Sequence, residues 1–155
     1  MDNLIIGDKA LFAIRLETDG YFASVSIFCE SEEMGNNDEC TLLYTLTSSL
    51  ERKINNYNYT LANEINNLDK DAVYLYVVDG FEKAENWRES NLLENIWITF
   101  NLTPCFDGEV LILLSNNAHD RIIWKKFNSE VVREKYLPSG YVLEQLALLL
   151  NHFAH

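Results

Sequence analysis

Ala10-Leu11-Phe12-Ala13-Ile14-Arg15-Leu16-Glu17-Thr18-Asp19-Gly20-Tyr21-Phe22-Ala23-Ser24-Val25-Ser26-Ile27-Phe28-Cys29 reads as two strands joined by a turn. Ala10, Phe12, Ile14 and Leu16 fall on one side and Arg15 and Glu17 mainly on the other, the period of two of a strand. Asp19-Gly20 is a strong hairpin signal because glycine accepts a positive φ. In the returning half, Phe22 and Phe28 share a face with Ser24 and Ser26, while Val25 and Ile27 lie opposite. Both faces are partly apolar, which predicts a strand internal to a sheet.

C-terminal to the hairpin, Glu30 to Glu39 reads as a polar loop containing Gly35, Asn36 and Asn37. Leu42, Leu43, Leu46, Leu50 and Ile54 then form one apolar helical stripe, with Asp38 as its expected N-cap and Glu39 near the positive end of its dipole. Arg52 and Lys53 suit the last turn. Leu61 and Ile65 allow a short second helix, and the conformation of residues 55–95 is otherwise weakly specified. Ala72 to Val78 fits a strand by composition. An acidic flank before it, with Asp69 or Asp71 as cap, and Gly80 after it lean it towards helix. Phe81 to Asn95 reads as a charged, irregular connection around Trp87.

The last third is expected to be a meander. Ile96, Ile98, Phe100 and Leu102 alternate up to Pro104, Glu109 to Leu114 reads as a central strand, and Arg121 to Phe127 returns after a turn. Val131 to Tyr136 reads as a short edge segment. Pro138-Ser139-Gly140 opens a closing helix with Val142, Leu143, Leu146, Leu149, Leu150 and Phe153 on its apolar face. Residues 1–155 are therefore expected to form one α+β domain: an antiparallel sheet, from the N-terminal hairpin and the C-terminal meander, packed with a central helix and a C-terminal helix.

Charge is the other informative property. The chain has 12 Lys plus Arg against 24 Asp plus Glu, a formal net charge of -12. Residues 1–95 hold 18 acids and 7 bases, whereas residues 96–155 hold 6 and 5. Nucleic acid and anionic membranes both require clustered Lys and Arg, so neither is expected as a partner. A basic protein is. An apolar fraction of 48% separates this acidity from disorder. The N-terminus lacks the basic leader and apolar run of a secretory signal, and a cytoplasmic location is expected.

Nothing in the sequence assembles into a reaction centre. The glycines are too dispersed for a phosphate loop, there is no HExxH, and no cofactor or metal is expected. Cys29, Cys40 and Cys105 include no CxxC and read as free thiols, with a Cys29–Cys40 disulfide left open. His119-Asp120 near Ser115 has the residue types of a nucleophile–base pair but sits in a hairpin turn, where convergence is rare. His152 and His155 lie at the C-terminus. Cys105 has Asp107 and Glu109 near it rather than the cation a thiolate needs. The chain is not expected to be an enzyme.

The acids Glu30, Glu32, Glu33, Asp38 and Glu39 are the expected partner-binding residues, either as a solvated loop or as a surface mating with a basic protein. Tyr57, Tyr59 and Trp87, in the polar middle of the chain, are the candidate anchors, with core packing as the alternative for each.

Pro104-Cys105-Phe106-Asp107-Gly108-Glu109-Val110, Arg121-Ile122-Ile123-Trp124-Lys125 and Tyr136-Leu137-Pro138-Ser139-Gly140, with the opening Ile5-Ile6-Gly7-Asp8-Lys9-Ala10-Leu11-Phe12-Ala13-Ile14, resemble an immunity-protein family of bacterial polymorphic toxin systems, the one numbered 42. The resemblance implies a cytoplasmic protein that binds and neutralises a cognate toxin domain, as in contact-dependent growth inhibition. Many such toxins are nucleases with basic channels, which an acidic inhibitor can cover. The alternative is an acidic secretion chaperone binding one effector, which would call for an N-terminal amphipathic helix and a homodimer. A monomer is expected on the first reading.

Overall fold

The computed structural model describes residues 2–35 and 38–153. The decisive hairpin forms as read: β2 (Phe12–Thr18) pairs antiparallel with β3 (Phe22–Cys29), in a register running from Phe12 opposite Cys29 to Thr18 opposite Ala23. Phe12, Ile14 and Leu16 are buried, and Asp19 closes the turn by accepting from the amides of Tyr21 and Phe22. β3 is internal to its sheet, as its two-sided apolarity predicts.

The sheet is larger than the hairpin. β1 (Asp2–Asp8), which the sequence reading did not assign, pairs with β2, and the expected N-terminal helix of a chaperone is absent among the described residues. Gly7 in β1 has φ +98°, and a Cβ there would lie 2.4 Å from the Phe12 carbonyl oxygen, so only glycine lets the two strands approach this closely. On the far side of β3 lie β4 (Glu32–Met34) and the two-residue β5 (Thr41–Leu42).

The stretch 30–39 is therefore not simply a loop. Glu30 and Ser31, both at positive φ, turn the chain directly from β3 into β4. This is the geometry of a two-residue hairpin turn, here without the usual Asn or Gly. The Glu30 and Ser31 amides donate to the carbonyls of Leu11 and Lys9, which offsets the backbone strain. Asn36 and Asn37 lie outside the described residues.

α1 (Leu43–Asn55) forms where the apolar stripe predicts it, but Asp38 does not cap it. β5 intervenes, and the Leu43 amide instead donates to the Tyr21 carbonyl at 2.7 Å. α2 (Tyr59–Ile65) is the short second helix, capped by Asn58, and α3 (Lys70–Lys83) confirms the helical reading of 72–78, with Asp69 accepting from the Ala72 amide. Gly80 lies inside α3 rather than ending it. The expected irregular connection 81–95 is instead the last turn of α3 followed by α4 (Trp87–Glu94), capped by Asn86.

The expected strand 96–102 is also absent. Ile96, Ile98 and Leu102 are buried as their alternation implies, yet the backbone turns repeatedly and makes a single bridge, Trp97 to Ile112. Pro104 does not end a strand but opens a short 3-10 helix, Pro104–Phe106, capped by Thr103.

The meander forms a second, separate antiparallel sheet of β6 (Val110–Ser115), β7 (His119–Lys125) and β8 (Arg133–Pro138). Its central strand is β7; β6 is an edge strand although every one of its residues is buried. Its outer edge is closed by other groups. Ile98 N–H donates to the Leu111 carbonyl, Leu111 N–H to Thr99 Oγ1 and Leu113 N–H to the Ile96 carbonyl. The Tyr57 hydroxyl donates to the Leu113 carbonyl at 2.6 Å and accepts from the Ser115 amide at 2.8 Å.

α5 (Tyr141–His152) packs with α1, β1 and β2, while α2 lies on β6 and α3 on β7. The buried residues from Phe12 to Leu149 make one contiguous cluster, so both sheets share a core. No helix among the described residues is long and apolar enough to cross a membrane.

Candidate functional site

The acids expected to meet a partner are largely engaged within the chain. Glu32 Oε1 accepts from the Trp124 indole at 3.0 Å, and Oε2 lies 3.5 Å from the Arg133 guanidinium. Glu33 on β4 pairs with Arg15 on β2, reaching over β3, and Glu30 lies 3.8 Å from Lys135 on β8. Glu39 contributes its backbone carbonyl, which accepts from Ser24 Oγ and the Cys105 thiol. Asp38 and Glu39 are exposed. The basic residues of β8 thus face the acids of the β3–β4 turn, and this contact helps hold the two sheets together.

Glu109 does the same from the second sheet. Its carboxylate accepts from the Gly35 amide at 2.8 Å and the Phe127 amide at 3.3 Å. The sequence reading treated it as the start of a strand and missed this role, which spacing alone does not reveal.

The three candidate anchors separate. Tyr57 is buried, 7% exposed, with its hydroxyl committed to β6, so it is a core residue and is not presented to a partner. Tyr59 is exposed and sets its ring edge-on to Tyr57, centroids 4.7 Å apart. Trp87 is 72% exposed at the first residue of α4, with the Arg88 guanidinium over its ring.

The residues that resembled a reaction centre do not converge. Asp120 is fully buried, and its carboxylate accepts from Ser115 Oγ and from the amides of Gly140 and Val142, so it anchors the start of α5. His119, on the opposite face of the same strand, packs edge-on to Tyr136. His152 is exposed and meets Phe153 edge-on, and His155 lies outside the described residues. All three cysteines are free; Cys29 and Cys105 are buried and Cys40 is exposed. Among the described residues no group of three His, Cys, Asp or Glu side chains could hold a metal.

One surface has the shape of a binding site. Between α3 and α4 lies a groove of about 430 Å³ lined by Leu75, Tyr76, Leu92 and Leu93, with Asp79, Glu89 and Lys83 among its polar walls. Its floor is set by Gly80, where a Cβ would come within 3.1 Å of Leu93 Cδ1, so the two helices lie close at this point. Val73 and Val77 turn α3 to the core, while Leu75, Tyr76 and Leu92 stand about half exposed. A second apolar hollow of about 340 Å³, lined by Tyr21, Leu42, Tyr44 and Phe153, has no charged residue in its walls. The sequence reading missed the groove because it took α4 for an irregular connection.

Two comparisons match the chain. The family model for Immunity protein 42 matches residues 4–152. The crystal structure of CdiI from Burkholderia dolosa AUO158 is similar in fold, with a TM-score of 0.71 at 17% identity over 96% of this chain and 99% of that chain. No curated protein matches the chain.

Proposed function

Because the chain belongs to the immunity protein 42 family, whose members are toxin-neutralising immunity proteins, we propose that it binds a basic toxin domain in the cytoplasm and neutralises it by contact rather than by catalysis. A nuclease is the toxin class that fits best, since its nucleic-acid channel is cationic and an acidic protein can occupy or cover it.

The observation that carries this reading is the placement of unpaired acid. The ion pairs among the described residues use Glu30, Glu32, Glu33 and Glu134. None uses the eight acids of residues 59–94, a segment with only three bases. Of the acids and aromatics singled out in the sequence, Glu39, Tyr59 and Trp87 are exposed and offer their side chains as contacts. Glu30 and Glu33 each already have a partner within the chain, Lys135 and Arg15.

The test is co-expression with a candidate cognate toxin domain. The wild-type chain is expected to restore growth, to co-purify with the toxin domain, and to bind with an association rate that falls steeply as salt rises. Growth arrest unchanged by the chain, with no complex recovered, would overturn the proposal. Fractionation of cells expressing the untagged chain tests the location, with recovery in the cytoplasmic fraction expected.

A further inference from the structure

We infer that the groove between α3 and α4 is the docking site for a cationic segment of the toxin domain that carries an apolar anchor side chain. This rests on the function proposed above and specifies where it is carried out.

α3 has more apolar surface than its place in the fold uses. Val73 and Val77 supply its contact with the core, yet Leu75 and Tyr76 are also apolar and stand 53% and 46% exposed. On α4, Leu93 packs inward while Leu92, the neighbouring residue, is 51% exposed. A helix with apolar residues beyond its core face has a second surface to bury. Here the two surplus faces meet in one groove, which is the form that accepts an inserted side chain or a short helix.

The charge around the groove decides what fits. Residues 59–94 hold eight acids and three bases, and none of these acids pairs with a Lys or Arg among the described residues. Asp79 and Glu89 stand in the groove walls against the single Lys83. An acidic partner or a nucleic acid would be repelled, whereas a Lys- or Arg-bearing protein segment would find both a field to steer it and an apolar floor. Trp87, 72% exposed at the N-terminal end of α4, adds an aromatic contact of the kind that dominates interfaces. The hollow at Tyr21 and Tyr44 has apolar walls of similar size without this charge.

The experiment measures binding of the purified, catalytically inactivated toxin domain that the co-expression test identifies to the full chain and to surface variants. The wild type is expected to bind. Leu75→Asn with Leu92→Asn is expected to weaken binding at least about tenfold, mainly through faster dissociation. Asp79→Lys is expected to slow association and flatten its salt dependence. Hydrogen exchange in the complex should show new protection over residues 70–94. Unchanged affinity in the double variant, with wild-type circular dichroism and protection elsewhere in the chain, would overturn the groove and leave the function standing. Absence of wild-type binding would overturn both. Self-association of the wild type that the double variant abolishes would make a second copy the occupant and would also overturn the inference.

Discussion

The indole N–H of Trp124, on the central strand of the second sheet, donates to the carboxylate of Glu32, on the short fourth strand of the first. This bond, with Arg133 on the other carboxylate oxygen, makes Glu32 part of the architecture. Trp124 is 1% exposed, so its N–H has no access to water as an alternative. An acid that looks like a contact residue in the sequence is therefore expected to matter first for stability. Glu32→Ala should lower the stability measured by urea unfolding by about 1–3 kcal/mol, because it leaves a buried donor unsatisfied. Glu32→Gln, which keeps the acceptor, should cost less.

Asp120 gives a second stability test. Its two carboxylate oxygens accept from the Gly140 and Val142 amides at 2.9 and 3.0 Å, at the start of α5. Asp120→Ala removes both acceptors and is expected to cost about 2 kcal/mol in urea unfolding. Growth protection by the variant should persist at low temperature and fail first on warming. A variant that loses protection while keeping wild-type stability would return Asp120 to a functional role.

Gly7 tests the packing of the first two strands. Gly7→Ala places a Cβ where the Phe12 carbonyl oxygen now lies, at a φ of +98°. The expected loss is at least about 2 kcal/mol, combining steric overlap with backbone strain. Thermal unfolding measures it directly, and a melting temperature equal to that of the wild type would contradict the close approach.

Two buried groups make opposite contributions in alkali. Burial pushes the Cys29 thiol well above its ordinary value of 9.0, with Glu32 and Glu109 adding to the rise. Above that value the unfolded thiol loses its proton and the folded one keeps it, so stability falls as pH rises. Burial pulls the Lys53 ammonium down from 10.5 to about 8, although it donates to the Glu94 and Trp97 carbonyls. Between those values the unfolded lysine holds a proton that the folded one has released, so stability rises with pH. Each effect has a limiting slope of about 1.4 kcal/mol per pH unit. Between about pH 9 and about pH 10, urea midpoints should rise for Cys29→Ala, fall for Lys53→Met and change least for the wild type. Parallel trends in the two variants would contradict these assignments.

Much of this fold is visible in residue order because burial and periodicity coincide there. Phe12, Ile14 and Leu16 alternate and are all buried, and Leu46 and Leu50 mark the core face of α1. The acidic flank before Ala72 identifies α3 because Asp69 does cap it. Periodicity fails where long-range contacts replace local ones. β4 is Glu-Glu-Met, with no strand pattern, and exists because β3 pairs with it and distant basic residues face its acids. Ile96, Ile98 and Leu102 are buried without forming a ladder, since turns can bury them too, and the alternation breaks at Thr99, which is buried, and Phe100, which is only partly so. α4 escapes notice because Leu92 faces the groove instead of the core. That is also why Trp87 could be singled out as an aromatic candidate while the surface beside it could not.

The closure of β6 has a further consequence for the molecule in a crowded cell. A buried-type strand at the margin of a sheet is a template for pairing with another chain, and runs as apolar as Val110–Ser115 are the usual seeds of aggregation. Here the template is already read by the chain itself. The 96–99 turn takes the groups of Leu111 and the amide of Leu113, and the single Tyr57 hydroxyl takes the last carbonyl and amide. The phenol of Tyr57 thereby denies other chains a strand to join.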